Sequence, residues 1–251
     1  MPRPSSFGIE PKRLHTLTSR SVKLPIQILS FIFSETSLAA QSADKSDALH
    51  TIHSSTTMLT QNQLAKILRL KIKDLNPSTI YVLAVRGNQG KNRIGVFDDR
   101  AYAVYDWTLK GTWRMNTDPS SDVVGRAHLV PGVYDYRAGK HHVNDPAPRG
   151  RAAFVQAGPV QVKRTGVGIE TGWFGINLHD AKGGSTSSLG CQTWNQGADF
   201  YNAEGTGFRD VMYRILGVNP EKVMANPSGV GRKFKYILVT AAEVTELLRF
   251  A

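Results

Sequence analysis

GWFGINLHDAKGGSTSSLGCQTW, residues 172–194, carries the most structural information in the chain. Phe174, Ile176 and Leu178 alternate with Trp173, Gly175, Asn177 and His179, the period-two pattern of a strand with one apolar face. On such a strand His179 stands opposite the three apolar side chains. Small residues follow from Gly183 to Ser188, then Gly190 and Cys191, the single cysteine of the chain. The order predicts a strand that delivers an imidazole and a loop that returns a thiol to it. The thiolate is the reactive form of cysteine, and a neighbouring imidazole lowers the thiol pKa by ion pairing, so His179 and Cys191 read as a nucleophile pair. Gly190 allows close backbone approach, and N–H groups around Cys191 are expected to hold a tetrahedral oxyanion. Taken singly, the two residues read as a buried small hydrophobe and a hydrogen-bonded histidine. A polar glycine–serine loop is not where a core cysteine normally sits.

Outward from this stretch the pattern is that of a mainly β domain. TIYVLAVRG (79–87), RIGVFDD (93–99), AYAVYDW (101–107), GTWRM (111–115), VYDYRA (133–138) and AFVQAGPVQVKR (153–164) are short and rich in Val, Ile, Tyr and Phe. Gly, Pro, Asn and Asp punctuate them. Toward the end, Val211, Met212, Ile215 and Leu216 make a helical stripe closed by Gly217, KFKYILV (233–239) reads as a strand, and Thr240-Ala241-Ala242-Glu243 offers a capping box for a last helix. Residues 78–251 therefore read as one domain with a β core and a few helices.

Two segments precede it. Over 1–57, basic residues (Arg3, Lys12, Arg13, Arg20, Lys23) come before the apolar LPIQILSFIF (24–33) and the small-residue SLAAQSA (37–43), the order of a secretory signal. A disordered tail, or an extension upstream of a start at Met58, is the alternative. Over 58–77, Thr60-Gln61-Asn62-Gln63 matches a capping box, and Leu64, Ile67, Leu68, Ile72 and Leu75 recur at helical spacing until Asn76-Pro77. The helix is expected to pack that stripe on the domain, with Lys66, Arg69, Lys71 and Lys73 mainly off it.

His179, the small-residue loop and Ser188-x-Gly190-Cys191 together resemble the active-site signature of the L,D-transpeptidase (YkuD-like) family, cysteine enzymes of peptidoglycan. WRMNTDPSS (113–121) and LVPGVYDYRAGKHH (129–142) are similar to the strand, turn and hairpin ahead of the catalytic strand there. The wider run, with AVRG (84–87), is similar to a phage-associated and bacterial branch. The resemblance covers about 78–240. It implies a β-sandwich fold with Cys191 as nucleophile and His179 as its base. It also implies a backbone carbonyl near Asp180 orienting the imidazole, Gly190 and Ser188 shaping the oxyanion loop, and Asn177, Gln192 and Thr193 at the substrate. The implied reaction cleaves an L,D bond of a stem peptide through a Cys191 thioester, resolved by water or by a second stem's amine. Neither metal nor organic cofactor is implied. Leu189 stands where the family commonly has His, Thr193 where it has Arg or Asn, and the eight residues between His179 and Ser188 are fewer than usual. These departures favour hydrolysis over cross-linking.

The 251 residues carry 31 basic and 20 acidic side chains, a formal charge of +11. That balance calls for an anionic partner, and the polymers of a cell envelope suit it. The expected location is accordingly the envelope, the periplasm or the exterior, with phage delivery an alternative. No apolar run reaches the about 18 residues of a spanning helix. Two other functions stay open. His128, His141, His142, Asp145 and His179 are the ligand types of a metal-dependent peptidase, although no HExxH is present and adjacent His141 and His142 on a strand point to opposite faces. A basic nucleic-acid binder fits the charge, but the Lys and Arg are scattered and no recognition motif accompanies them.

Overall fold

The computed structural model describes residues 58–88, 93–146, 150–181, 186 and 188–249. The chain divides into two units, Met1–Thr51 and Ile52–Ala251, and every described residue belongs to the second. The leader reading of 1–57 lies outside the described residues, as do Gly183, Gly184, Ser185 and Ser187 of the loop ahead of Cys191.

The elements are α1 (Gln61–Lys71), β1 (Tyr81–Arg86), β2 (Asp99–Tyr105), β3 (Thr108–Met115), β4 (Ala127–Leu129), β5 (Gly132–His141), β6 (Arg151–Gln156), β7 (Val160–Arg164), β8 (Gly168–Gly172), β9 (Leu178–Ala181), β10 (Gln192–Asn195), α2 (Phe208–Leu216), α3 (Pro220–Ala225), β11 (Val230–Thr240) and α4 (Ala241–Arg249). The protein is mainly β. Eight strands form one mixed sheet in the order β10-β9-β6-β5-β11-β1-β2-β3, and β4-β7-β8 form a smaller one. The large sheet curls until its two outer strands meet, where Asn116, just after β3, exchanges backbone hydrogen bonds of 2.7 and 2.9 Å with Thr193 of β10.

Both faces of the central strands are covered, which explains the nearly unbroken apolar run of β1. Tyr81, Leu83 and Val85 meet α1 and α4 on one face, through Leu64, Ile67, Leu68 and Val244. Val82 and Ala84 face the other core, which contains Leu129 and Val162 of the small sheet, Phe208 and Met212 of α2, and Phe154, Trp194 and Tyr236. Helix α1 begins with the expected capping box: the Thr60 hydroxyl accepts from the Gln63 N–H and the Gln63 side chain accepts from the Thr60 N–H. Helix α2 ends at Gly217, whose φ of +68° suits glycine. The Thr240 hydroxyl accepts the Glu243 N–H at the start of α4.

Several strands differ from the sequence reading. RIGVFDD is not a strand before Asp99; Gly95 turns with φ +77°, and the segment runs in turns toward buried Asp98 and Asp99. AYAVYDW ends at Tyr105, because Asp106 and Trp107, with φ of 50° and 56°, form the two-residue turn into β3. AFVQAGPVQVKR is two strands in different sheets, since Pro159 has no N–H with which to continue the ladder. The strand foreseen over GWFGINLH shrinks to Leu178–Ala181, the chain ahead of it turning at Gly175 with φ +69°. Gln156 holds that irregular segment, its Oε1 accepting the N–H groups of Phe174 and Ile176 at 3.2 and 2.8 Å.

Candidate active site

The strand order brings the chemistry together. Neighbouring strands β10, β9, β6 and β5 carry, in turn, Cys191 just ahead of β10, His179 on β9, Arg151 at the start of β6 and His141 at the end of β5. The Cys191 Sγ and one ring nitrogen each of His141 and His179 lie within 4.8 Å of one another. They face a crevice of about 750 Å³ whose lining includes Arg126, Arg164, Phe174, Asn177 and Leu189. The pair read from the sequence is thus assembled, and a second histidine stands with it.

His179 is buried, and its Nδ1 is 2.5 Å from the backbone carbonyl oxygen of Asp180. At that distance Nδ1 must carry the proton and donate, which leaves Nε2 with its lone pair free to accept one. The orienting carbonyl expected near Asp180 is therefore that residue's own. Arg151 reinforces it, its guanidinium donating to the same carbonyl oxygen at 3.1 Å and to the Asp180 Oδ1 at 2.5 Å. His141 stacks on His179 with ring centroids 4.0 Å apart and planes inclined by 19°, and its Nδ1 lies 3.0 Å from the Asn177 side-chain nitrogen.

The Cys191 loop is shaped by three small interactions. The Ser188 hydroxyl accepts the Gly190 N–H at 3.0 Å and donates to the Cys191 carbonyl at 2.8 Å, so Ser188 staples the turn. Gly190 has φ +152°, and a Cβ there would lie 2.5 Å from the Ala127 carbonyl oxygen, so glycine is required. Ser120 and Ala127 hold the loop from outside, through the carbonyls of Ser188 and Leu189. Of the backbone N–H groups at 190–192, Gly190 is engaged by Ser188 and Gln192 by the Asn177 carbonyl at 2.9 Å. Among the described residues no acceptor meets the Cys191 N–H, which leaves it open to an incoming oxygen.

The substrate contacts expected at 192 and 193 are corrected by burial. Gln192 is fully buried, its amide spanning the carbonyl of Thr117 at 3.1 Å and the Tyr236 hydroxyl at 3.1 Å. Thr193, also fully buried, closes the sheet against Asn116. Both are framework. Asn177 does reach the crevice, and its backbone N–H points at the Cys191 Sγ from 3.4 Å. The thiol in turn donates to the Gly175 carbonyl at 3.4 Å.

The electrostatics correct a second expectation. Burial pushes the Cys191 thiol up to about 11, against the lowering effect of the Asn177 N–H and the Arg151 charge. Burial likewise lowers His179 to about 4, the Asp180 carbonyl opposing. His141 drops to about 2, through burial and then the neighbouring His179, His142 and Arg151. The free site therefore holds a neutral thiol beside neutral imidazoles at neutral pH, rather than a preformed ion pair.

Stability follows from the same shifts. An unfolded histidine binds a proton below about 6.5, whereas folded His179 and His141 refuse it until about 4 and 2. The unfolded chain then holds more protons, so stability is complete above pH 6.5 and falls as pH drops below it. Asp99 opposes this: burial raises it to about 6, so over pH 6 to 4 the folded state keeps one proton that the unfolded state releases. The net is about one proton, or roughly 1.4 kcal/mol lost per pH unit. Urea midpoints measured from pH 7 to pH 4 should fall accordingly, and in the His141→Gln/His179→Gln double variant, where Asp99 alone remains, they should rise as pH drops from 6 to 4. A wild-type midpoint that is flat or rises as pH drops would contradict the burial of neutral imidazoles.

The metal-peptidase set comes together only in part. His142 turns back with φ 52°, so its ring packs 4.0 Å from that of His141 instead of pointing to the opposite face. Asp145 pairs with it at 3.8 Å. His128 lines a separate crevice and faces Asp118 and Asp122 at 3.4 and 3.3 Å. Arg151 and the place of His141 escaped the sequence reading because only the strand order makes them neighbours of β9. Among the described residues no helix is long and apolar enough to cross a membrane. Compared with family models, curated proteins and solved structures, the chain finds no match.

Proposed function

We propose that the protein is a cysteine acyl-transfer enzyme of the L,D-transpeptidase (YkuD-like) type, acting on L,D bonds of peptidoglycan stem peptides and passing the acyl group chiefly to water. The observation that carries the reading is the thiol and imidazole held within 4.8 Å on adjacent strands at an open crevice.

In this mechanism His179 Nε2 takes the Cys191 proton as Sγ attacks the carbonyl on the L side of the bond. The fixed Nδ1–H to Asp180 keeps the accepting nitrogen aimed. The Cys191 N–H stabilises the oxyanion. Collapse forms a thioester and expels D-alanine, whose amine takes the proton back from His179. Water, deprotonated by the same imidazole, then releases the shortened stem and the thiol. Arg126 along the crevice suits a carboxylate of a stem peptide, whereas Arg164 beside it is paired with Glu170 at 2.6 Å. The crevice is open at Leu189, which is 69% exposed, and this favours water as acceptor. The +11 charge suits a partner in the anionic envelope.

Disaccharide-tetrapeptide muropeptides test the reading by mass analysis. Tripeptide products without dimers are expected. Dimers joined through two diaminopimelate residues would reverse the choice of acceptor, and unchanged muropeptides would remove the substrate class.

A further inference from the structure

We propose that Cys191, His141 and His179 together bind a zinc ion at the floor of the crevice, and that zinc there masks the thiol. The inference concerns His141, which the acyl-transfer chemistry does not use, and it holds whatever the substrate is.

Zinc prefers a tetrahedron of sulfur and nitrogen ligands, with Zn–S near 2.3 Å and Zn–N near 2.0 Å, so ligand atoms sit about 3.4 to 3.6 Å apart. Here one sulfur and two ring nitrogens already lie within 4.8 Å of one another, leaving a contraction of at most about 1.4 Å for binding to achieve. A zinc-bound histidine donates its second N–H to a carbonyl, carboxylate or water, and Nδ1 of His179 does so to the Asp180 carbonyl, leaving its Nε2 lone pair to offer. Nδ1 of His141 lies 3.0 Å from the Asn177 amide nitrogen, a donor, so in the free protein that Nδ1 accepts; zinc at Nε2 of His141 moves the ring proton to Nδ1 and requires the amide to turn its oxygen toward it. The Asn177 backbone N–H beside Sγ supports a thiolate. The nearby Arg151 charge is offset by its ion pair with Asp180 at 2.5 Å. Three protein ligands leave a fourth position toward the crevice for water.

The binding step balances without oxidation. The Cys191 S–H bond breaks, its electron pair forms the Zn–S bond, the proton passes to solvent, and each imidazole donates a lone pair. Two lone pairs stay on the sulfur, but zinc withdraws electron density from it, so the bound thiolate is a weaker nucleophile than the free one.

The test uses the full chain, first stripped with a chelator, then titrated with Zn²⁺ and separately with Co²⁺ as the spectroscopic probe. One equivalent of each should bind, and Co²⁺ should give a thiolate-to-metal charge-transfer band with the strong visible absorption of a tetrahedral ion. His141→Gln and Cys191→Ala should each weaken Zn²⁺ binding by at least about 100-fold, beyond the 10- to 100-fold typical of losing an outer partner. His128→Gln, in the other crevice, should leave it unchanged. At about pH 9, where the free thiol labels about 100-fold faster than at pH 7, one equivalent of Zn²⁺ should cut iodoacetamide labelling of Cys191 by about tenfold or more, and chelator should restore it. Absence of the charge-transfer band, or binding that survives Cys191→Ala, would overturn the site. Undiminished labelling of zinc-loaded protein would overturn the masking. None of these readouts depends on a peptidoglycan substrate, so they fail or succeed independently of the acyl-transfer reading.

Discussion

Replacing Cys191 by alanine should lower stem-peptide turnover by about 10⁴-fold or more, the scale of removing a covalent nucleophile from a site whose groups act as a unit. The fold should survive, because the hydrogen bonds of the thiol to the Asn177 N–H and the Gly175 carbonyl are long, at 3.4 Å. Cys191→Ser should fare little better, since a hydroxyl is a far weaker acid and gains no other base. Turnover near the wild-type rate in Cys191→Ala, with the protein folded, would end the covalent mechanism. The free thiol supplies a companion measurement. Because burial holds it near 11, iodoacetamide labelling should be slow at pH 7 and rise about tenfold per pH unit toward pH 11. Fast, pH-independent labelling at neutral pH would indicate a preformed thiolate instead.

His179→Gln should cost about 10²- to 10⁴-fold in kcat/KM, the usual contribution of a positioned general base. Glutamine keeps a polar group in the cavity but cannot accept the thiol proton. The pH profile of the wild type distinguishes this role from a structural one. The base works only when neutral, and folded His179 stays neutral down to about 4. The acidic limb of kcat/KM should therefore have its midpoint near pH 4, well below the 6.5 of an ordinary imidazole. Loss of the limb in His179→Gln, with residual activity independent of pH there, would tie it to this ring. An acidic midpoint near 6.5 in the wild type would assign it to another group.

Legibility in the sequence followed the range of the interactions. The start of helix α1 with its capping box, α2 with Gly217, and the start of α4 are set by residues three or four apart and stand where the pattern put them; α1 itself ends at Lys71, with Ile72 extended, short of the Ile72 and Leu75 that the stripe included. The thiol and imidazole were also legible, because a dozen residues and one loop join them. What failed was longer in range. RIGVFDD has strand composition, yet its two aspartates are buried; Asp99 takes N–H groups from Gly87 and Thr117, which no local pattern announces. Gln192 and Thr193 flank the nucleophile in sequence and were read as touching substrate. The parallel pairing of β10 with β9 and the contact with Asn116 seal them inside instead. Arg151 and His141 face one another across the β5–β6 ladder in the register His141↔Arg151, and only the placement of β9 beside β6 turns that pair toward the site.

The junction of Asn116 with Thr193 has a consequence for how the molecule holds together. A ladder of six register pairs joins β1 to β11, whereas the two outer strands of the large sheet meet at one backbone bridge, with the Gln192 amide reaching the Thr117 carbonyl beside it. Curling the sheet until those strands meet hides edges that would otherwise template pairing with another chain. Asn116, Thr117, Gln192 and Thr193 are fully buried there, so parting the strands would strand polar groups that now pair with one another. Thr193 lies two residues from Cys191 and in register with His179, so the closure also braces the strand that leads away from the thiol. One junction thus removes a sticky edge and anchors the thiol beside the imidazole.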